Sequence, residues 1–479
     1  MTSTMRSDAS GELDRRRRLL VLAICCVSIV VVVMDISVVN VALPAIRRDL
    51  HASVSGLQWV VDAYTLVLAS FLVLGGSTGD RVGRRRTFQI GLAVFGLGSM
   101  LCGLAPSIGW LIAARALQAV GGTMLNPVAI AIIASTFHDA AERARAIGVF
   151  GSMTGLALVL GPIVGGVIVE GLGWRFVFWV NVPIVVAAIV CTALYVPESR
   201  AGRARRFDPV GQTLVALVLC GVVSATIESG RFGWTSPVIV GLLAVSALGV
   251  VGIVAYEPRR AEPLLELRLF RSVPLSSAIL MAMLALCGFG AYLFVTTLYL
   301  QEVRDLSALA AGLCLLPLGL VVVVLSPFAG RIVGTRGPRV PLVIAGAALA
   351  AGGAASLRVG PATPLAAVLA TSLLFGVFLA MVNPPITNTA VAAMPRSMAG
   401  VAASLASVGR QTGTTLGVAI SGTIVGSVAA DGRAYTSAER GVWWMVVGLG
   451  LGIVVLAIVS TSNLREPHVR AETRRRVPQ

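Results

Sequence analysis

The strongest constraint on this chain is a succession of about fourteen apolar stretches, each roughly 20 to 30 residues long, which together cover most of its 479 residues. About 20 consecutive apolar residues are what an α-helix needs to cross a bilayer. Only 13% of the residues are charged, whereas soluble domains carry about a quarter. The sequence therefore predicts an all-α polytopic membrane protein. The predicted spans are residues 19–44, 57–78, 88–106, 108–136, 144–168, 174–196, 208–229, 237–257, 273–300, 307–330, 339–357, 364–393, 400–428 and 441–462.

The charges predict how these spans are oriented. The net charge is +16, and every basic residue other than histidine is an arginine. The arginine runs fall on alternate connections and the tryptophans at the opposite ends of the spans, so the arginine side is predicted to be cytoplasmic. The runs are Arg15–Arg18, Arg84–Arg86, Arg203–Arg206, Arg259–Arg260 and Arg474–Arg476, and the tryptophans are Trp59, Trp110, Trp174, Trp179, Trp234, Trp443 and Trp444.

Other function classes find little support in the sequence. The seven cysteines lie within the apolar stretches without metal-ligand spacing, and the three histidines are isolated in loops or the tail. No nucleophile, histidine and acid form a catalytic grouping, so we expect neither an enzyme nor a metal site. We interpret the terminal arginine clusters as topological signals that contact anionic lipids, and we expect no nucleic-acid binding.

An internal repeat divides the chain. Met124-Leu125-Asn126-Pro127 recurs as Met381-Val382-Asn383-Pro384, and Gly76 before a basic loop recurs as Gly330, both at an offset of about 255 residues. A duplicated six-span unit around a central cavity is typical of secondary transporters. The predicted divisions are a basic cytoplasmic N-terminus (1–18), a first six-helix half (19–200), two inserted helices (208–257), a second six-helix half (273–463) and a basic cytoplasmic tail (464–479).

Four of the ionisable residues inside predicted spans are candidates for proton coupling. A charge near the bilayer centre costs roughly 2.5 to 3.5 kcal/mol on insertion scales, so such groups mark ion or substrate paths. Asp35 in the first span is the leading candidate. Arg115, about eight residues into span four, requires a counter-charge, and Asp35 and Asp62 lie at comparable depths. Glu228 lies nearer the outer end of span seven.

The segment Gly76-Ser77-Thr78-Gly79-Asp80-Arg81-Val82-Gly83-Arg84-Arg85-Arg86 closely resembles the signature of the major facilitator superfamily. Glycines there permit a tight turn between helices, and Asp80 can meet neighbouring arginines or the positive start of a helix. The second copy carries Gly334 where the acid would stand. The resemblance implies a cytoplasmic latch, formed by Gly76, Asp80, Arg81, Gly83 and Arg84.

Two further motifs carry the resemblance. In span five, Gly148 followed by Gly161-Pro162-Ile163-Val164-Gly165-Gly166 resembles the antiporter motif of the superfamily, although Ala157 stands where glycine is usual. It predicts a proline-bent helix whose small residues let a helix of the other half approach closely. In span four, the segment 115–122 is similar to a motif whose arginine takes part in proton coupling.

Taken together, these motifs resemble the fourteen-span drug:proton antiporters of the major facilitator superfamily. The resemblance implies two six-helix halves plus two inserted helices, export of drugs by alternating access, and no cofactor beyond the proton gradient. It also implies a monomer in the bacterial plasma membrane. The expected proton-coupling residues are Asp35, which is favoured, with Asp62, Arg115 and Glu228, and the expected substrate-binding residues are Asn40, Gln58, Trp59, Tyr64, Gln118, Asn126, Asn383 and Arg410.

Several alternatives remain open at this stage. One is an exporter of lipids or cell-envelope precursors, which should keep an apolar lateral opening, whereas a drug exporter needs a central pocket. Another is a proton-coupled uptake carrier, against which the span-five motif argues. The expected partners are a small-molecule substrate, protons and membrane lipids.

Overall fold

The computed structural model describes residues 14–137, 139–200, 208–260, 267–392, 394, 399–426 and 432–462. These residues are almost entirely helical, and no β-strand occurs among them. Within this described part, eleven helices are long and apolar enough to cross a membrane. The all-α prediction is therefore confirmed.

The first half contains seven helices, two of which form one interrupted span. Polar side chains cap several starts: the Ser53 and Ser107 hydroxyls accept hydrogen bonds from the backbone amides of Gly56 and Trp110. The helices are α1 (Arg15–Leu50), α2 (Val54–Val82), α3 (Arg84–Gly103), α4 (Ile108–Thr136), α5 (Ala140–Gly171), α6 (Phe176–Trp179) and α7 (Asn181–Tyr195).

The rest of the chain contains the inserted pair and the second half. Pro209 and Pro237 begin the inserted helices, at the first helical position where a missing amide hydrogen costs nothing. The helices are α8 (Pro209–Phe232), α9 (Pro237–Tyr256), α10 (Val273–Leu298, continued by a π-helical turn Tyr299–Val303), α11 (Ala308–Cys314), α12 (Leu316–Arg336), α13 (Arg339–Ser356), α14 (Leu365–Ala392), α15 (Ala399–Gly426) and α16 (Gly432–Ser462).

The two halves repeat one packing pattern. In the first, α1 packs on α5, α2 on α4, and α3 on α4 and α7. In the second, α10 packs on α15, α12 on α14, and α13 on α14 and α16. Glycines allow these close approaches: a Cβ on Gly121 would lie 2.3 Å from the Phe95 nitrogen, and one on Gly417 would lie 2.1 Å from the Cys287 oxygen. This pattern is what a duplicated six-helix unit predicts.

Helix α8 of the inserted pair contacts both halves. Gln212 of α8 donates a hydrogen bond from its side-chain amide to the Ser70 carbonyl of α2. On the other side, the Thr423 hydroxyl of α15 donates to the Thr226 carbonyl of α8 at 2.7 Å. Helix α9 packs mainly on α8 and exposes apolar side chains such as Leu248, which is 70% exposed. The inserted pair therefore covers the line where α2 meets α15.

Three polar contacts between the halves lie at the end of the bundle that carries the tryptophans, here the tryptophan end. Arg47 of α1 pairs with Glu302 at 2.6 Å, and the Gln301 amide donates to the Val41 carbonyl at 2.9 Å. The backbone amide of Leu309 donates to Glu170 of α5 at 3.3 Å. These three contacts close the tryptophan end.

The opposite end, which carries the arginine-rich connections and is here the basic end, is more open. A Cβ placed on Gly148 or Gly151 of α5, or on Gly330 or Gly334 of α12, would meet no atom within 4 Å. These four positions lie toward the basic end of helices from different halves. Toward the basic end, these positions of α5 and α12 are thus not packed against a neighbouring helix.

The bridging position of α8 predicts a specific cross-link. A Cβ at Gly230 of α8 would lie 4.0 Å from the Thr423 Cα of α15, which suits a disulfide. In a background without native cysteines, Gly230→Cys combined with Thr423→Cys should cross-link under mild oxidation, as seen by a mobility shift that a reductant reverses.

The matched control pairs Thr423→Cys with Gly241→Cys on α9, where an added Cβ would meet nothing within 4 Å. This control should give no cross-link. Equal yields from the two pairs, or none from the Gly230 pair, would contradict the contact between α8 and the second half.

Candidate functional site in the membrane-embedded core

Arg115 is the centre of a buried polar network in the first half. It lies in the second turn of α4, and its guanidinium forms an ion pair with the Asp35 carboxylate of α1. Both side chains are essentially inaccessible, at 1% exposed for Arg115 and 0% for Asp35. The Arg115 Nε also donates to the Val60 carbonyl of α2 at 3.1 Å. One side chain thus connects α1, α2 and α4.

Two amide side chains complete the environment of Asp35. Gln118 donates to Asp35 Oδ1 at 2.9 Å, and Asn181 of α7 donates to the same oxygen at 3.1 Å. Both amides also donate to the Ser99 hydroxyl of α3 at 3.0 Å. Gln118 in turn accepts from Arg115 at 2.7 Å. The Asp35 side chain therefore has three partners, Arg115, Gln118 and Asn181.

Aromatic rings shield this network from solvent. The Arg115 guanidinium carbon lies 4.1 Å from the centre of the Tyr64 ring and 5.8 Å from that of Phe178, at cation–π distances. Tyr64 is fully buried. The ring of Tyr64, a substrate-binding candidate from the sequence, is therefore packed against Arg115 in this conformation.

Asp62 has a very different environment. It is fully buried, and neither of its carboxylate oxygens has a hydrogen-bond partner in the described part of the chain. Burying an unpaired carboxylate is costly, so a neutral acid fits this position better. The sequence analysis offered Asp62 as a possible counter-charge for Arg115, but the structure gives that role to Asp35 alone.

The position of Asp62 relates it to the second half. Residues 58, 62 and 65 are spaced to share one face of α2. Gln58 donates to the Ala419 carbonyl of α15 at 2.7 Å, and the Thr415 hydroxyl donates to the Thr65 hydroxyl at 2.7 Å. We call this contact the α2–α15 seam, defined by Gln58, Asp62, Thr65, Thr415 and Ala419. Asp62 thus lies on the α2 face that meets the other half.

Glu228 belongs to a separate contact. It accepts a hydrogen bond from the Trp59 indole at 2.9 Å, which joins α8 to α2 near the tryptophan end. Both residues were candidates from the sequence, Glu228 for proton coupling and Trp59 for substrate binding. The structure brings them together, beside the seam and apart from the Asp35–Arg115 network.

The remaining substrate-binding candidates are not gathered at one point. Asn40 donates to the Ile36 carbonyl of its own helix at 2.8 Å, and its oxygen is buried without a partner. The Asn126 oxygen in α4 is also buried without a partner among the described residues. Asn383 is half-buried in α14. Arg410 of α15 donates hydrogen bonds to the Ser407 and Thr387 hydroxyls.

The span-five glycines divide their contacts between the halves. A Cβ on Gly161 would lie 2.5 Å from the Ser37 Cβ, so this glycine packs α5 on α1 within the first half. On Gly166, it would lie 2.6 Å from the Leu309 Cα of α11, in the second half. The expected close approach between halves is therefore present at Gly166. Gly165 packs on α1 like Gly161, and Gly148 faces open space.

Pro162 of the same motif also faces the second half. A Cβ on Gly312 of α11 would lie 2.3 Å from the Pro162 carbonyl. Helix α5 continues through Pro162 without interruption from Ala140 to Gly171. The motif thus forms a second tight contact between the halves, between α5 and α11.

The predicted latch residues surround the turn between α2 and α3. Gly83 has a φ of +121° there, which glycine adopts without strain. Asp80 pairs with Arg84 at 3.2 Å, one helical turn away, and is 40% exposed. Gly76 packs against Pro127 of α4, where an added Cβ would lie 3.3 Å away. These three contacts remain within the first half.

Sequence reasoning missed Glu198, which follows α7. Its carboxylate accepts a hydrogen bond from the Arg85 backbone amide at 3.1 Å and lies 3.9 Å from the Arg86 side chain. A Cβ on Gly83 would lie 2.6 Å from this carboxylate. Glu198 thus caps the positive start of α3. The available signal was an acid in Pro197-Glu198-Ser199, directly after span six.

Comparison with known proteins identifies the family. The sequence profile described as Major Facilitator Superfamily matches residues 25–418. The chain belongs to the major facilitator superfamily. It is therefore a multi-pass membrane transporter rather than an enzyme.

Its relatives include named resistance proteins of actinobacteria. The multidrug resistance protein Stp of Mycobacterium tuberculosis is 37% identical over 86% of this chain and 76% of that protein. The tetracenomycin C resistance and export protein of Streptomyces glaucescens is 35% identical over 85% and 75%, respectively. The puromycin resistance protein pur8 of Streptomyces alboniger is 38% identical over 83% and 80%.

A solved structure supports the fold. The crystal structure of a bacterial homologue of the human lysosomal transporter Spinster, inward-facing and unoccupied, matches with a TM-score of 0.63. The match covers 94% of this chain and 97% of that one at 17% sequence identity. At this identity the similarity concerns the fold alone.

The buried ion pair generates a stability prediction. Asp35→Asn or Arg115→Gln alone leaves one buried charge unpaired, which should cost roughly 3 to 5 kcal/mol of stability. The double variant removes both charges and should lose much less than the sum. Thermal or denaturant unfolding of the purified protein in detergent would measure this coupling.

The matched control is the ion pair between Arg18 and Glu142 at the basic end, changed by Arg18→Gln and Glu142→Gln. The Arg18 side chain is 28% exposed and the Glu142 side chain is 46% exposed. Its coupling should be at most about 1 kcal/mol. Additive effects at Asp35 and Arg115 would show that the two charges do not compensate each other.

Proposed function

We propose that this chain exports drugs, antibiotics or other hydrophobic or cationic small molecules across the bacterial plasma membrane in exchange for protons. The observation that carries the proposal is the unpaired, fully buried Asp62 in the seam between the two halves. The names of the relatives support the drug class of substrate. Helices α3, α5 and α15 would join the eleven apolar helices as spans, which gives fourteen with both termini in the cytoplasm.

The distribution of contacts supports alternating access as part of this proposal. The described polar contacts between the halves lie at the tryptophan end and along the α2–α15 seam, so we interpret the conformation as inward-facing, with the basic end in the cytoplasm. Transition to the outward-facing state would separate the α2–α15 seam and the α5–α11 contact. Asp80 and Arg84 would then be free to engage the second half as the latch closes.

Asp62 would carry the proton. While the seam is open to the outside, water can reach the carboxyl group and equilibrate it with external protons. The seam can close at low cost only when Asp62 is neutral, because no partner inside it compensates a negative charge. Uptake of a proton therefore favours return to the inward-facing state. Drug binding from the cytoplasmic side, coupled to loss of that proton, completes the exchange.

Asp35, which the sequence favoured as proton carrier, would have a complementary role. Its negative charge is balanced by Arg115 and two amides in this conformation. Protonation of Asp35 would release Arg115 and loosen the connection between α1, α2 and α4. We propose that Asp35 and Asp62 are protonated in different steps of the cycle.

The position of α8 favours a drug exporter over a lipid exporter. A lipid substrate needs a lateral opening to the bilayer, and one such route in this architecture would run between α2 and α15. Helix α8 covers it through contacts of Gln212 with α2 and of Thr226 with α15. The other contact between the halves, between α5 and α11, is closed near the tryptophan end, where Gly166 packs against Leu309. A substrate would then enter the cavity from the basic end.

The proton-coupling role of Asp62 has a direct test. In proteoliposomes with an imposed pH gradient, Asp62→Asn should reduce drug-dependent proton movement to background, because the amide keeps the shape but cannot titrate. Drug binding should persist. Glu142→Gln, the same chemical change in a partly exposed acid at the basic end, should leave proton movement unchanged.

Undiminished proton movement in Asp62→Asn would contradict this role. If proton movement were lost in Asp35→Asn but kept in Asp62→Asn, Asp35 would be the proton carrier instead. The export function itself is tested by the growth of a pump-deficient host that expresses the chain across a compound panel. No gain of resistance to any compound would argue against drug export.

A further inference from the structure

Arg410 is a deeply placed arginine without an acidic partner. It lies eleven residues after the start of α15, roughly 16 Å along the helix. Within the described part of the chain, no carboxylate lies within 4 Å of its guanidinium. Arg115, at a comparable depth in the first half, has Asp35 as its counter-charge. The positive charge of Arg410 is therefore not neutralised by the protein in this conformation.

The contacts of Arg410 leave much of its guanidinium available. One nitrogen donates to the Ser407 hydroxyl at 2.6 Å, and another to the Thr387 hydroxyl of α14 at 3.4 Å. A guanidinium carries five N–H donors in a planar fork. The two neutral hydroxyls orient the group without balancing its charge.

The other faces of α15 are occupied by neighbouring helices. Gly409 and Gly413 pack on α10, where an added Cβ would lie 3.0 Å from the Ile279 carbonyl and 2.2 Å from the Met283 carbonyl. The helix meets α2 through Thr415, and it meets α8 nearer the tryptophan end. Arg410 thus lies on the remaining side, toward α14.

That side faces open space toward the basic end. Thr387 is exposed and Arg410 is half-buried, so the described residues do not fully enclose the guanidinium. An arginine facing lipid at this depth would be costly, whereas one facing a water-filled cavity is tolerated and functional. The geometry therefore indicates that Arg410 faces the central cavity.

We propose that Arg410 binds an acidic group, such as a carboxylate, of the transported compound, so that the substrates include amphiphilic anions. This inference rests on the proposed export function and adds a substrate class to it. A guanidinium pairs in a bidentate manner with planar carboxylates and with phosphates. Between low-dielectric walls, its unbalanced charge also concentrates anions in the cavity. The apolar body of the compound would contact the surrounding helices.

The test compares two probes that differ only in charge, 1-pyrenebutyrate and its methyl ester. Purified full-length protein in nanodiscs of neutral phosphatidylcholine should bind the acid about tenfold or more tightly than the ester, as a charge-assisted contact predicts. Arg410→Gln should abolish this preference, and Arg410→Lys should retain part of it. The matched control Arg271→Gln, an exposed arginine at the basic end, should leave it unchanged.

Three results would overturn the inference. The first is equal or absent binding of acid and ester by the wild type, and the second is an unchanged preference in Arg410→Gln. The third is loss of the wild-type preference when phosphatidylglycerol replaces phosphatidylcholine, because a lipid phosphate would then be the occupant. If Arg410→Gln does not fold, as judged by size-exclusion chromatography, Arg410→Lys must still change the affinity for the acid and leave that for the ester unaltered.

This experiment separates the inference from the proposed function. Binding needs no proton gradient, so a protein that binds the acid through Arg410 but moves no protons would refute only proton-coupled export. Conversely, proton-coupled drug export without any acid preference would refute only the role of Arg410.

Discussion

The rest of the structure depends on how the membrane-embedded charges are compensated. Asp35 and Arg115 are both inaccessible, and each would be expensive without the other. Their pairing fixes α1 against α4, while Gln118, Asn181 and Ser99 extend the hydrogen bonds to α3 and α7. The first half is therefore held together by a polar network as well as by close packing of small residues. Within a bilayer, where apolar side chains gain little by associating with each other, such hydrogen bonds and close contacts are what define a helix bundle.

The α2–α15 seam has the opposite character. Its hydrogen bonds are few and neutral, and its one acid, Asp62, has no partner among the described residues. Contacts of this kind can separate without leaving a buried charge unpaired. This property suits a surface that opens and closes during the proposed transport cycle. Helix α8 touches both sides of the seam, so opening must break one set of its contacts. The inserted pair is thus placed where it can influence the equilibrium between the two conformations that we propose.

Much of this architecture was predictable from the sequence. The apolar stretches, the 255-residue repeat and the superfamily motifs indicated the helices, the duplicated halves and the family. The need of Arg115 for a carboxylate was also predictable, but the choice of Asp35 over Asp62 depends on side-chain direction in the folded bundle. The same holds for Tyr64, whose ring covers Arg115, and for Gly161 and Gly166, which face different halves of the molecule. The helix breaks at Val180 and Leu315 could not be predicted, because the sequence on both sides of each break is apolar and its pattern does not change there.

The central claim is that Asp62 is protonated while the seam is closed and loses its proton during drug exchange. Infrared difference spectroscopy of the reconstituted protein, with aspartate labelled by carbon-13, reports this state through the carbonyl stretch of a protonated carboxylic acid. We predict such a band in the drug-free wild type, its absence in Asp62→Asn, and its decrease when a transported drug is added. A wild-type spectrum without the band, or a band that persists unchanged in Asp62→Asn, would contradict the account.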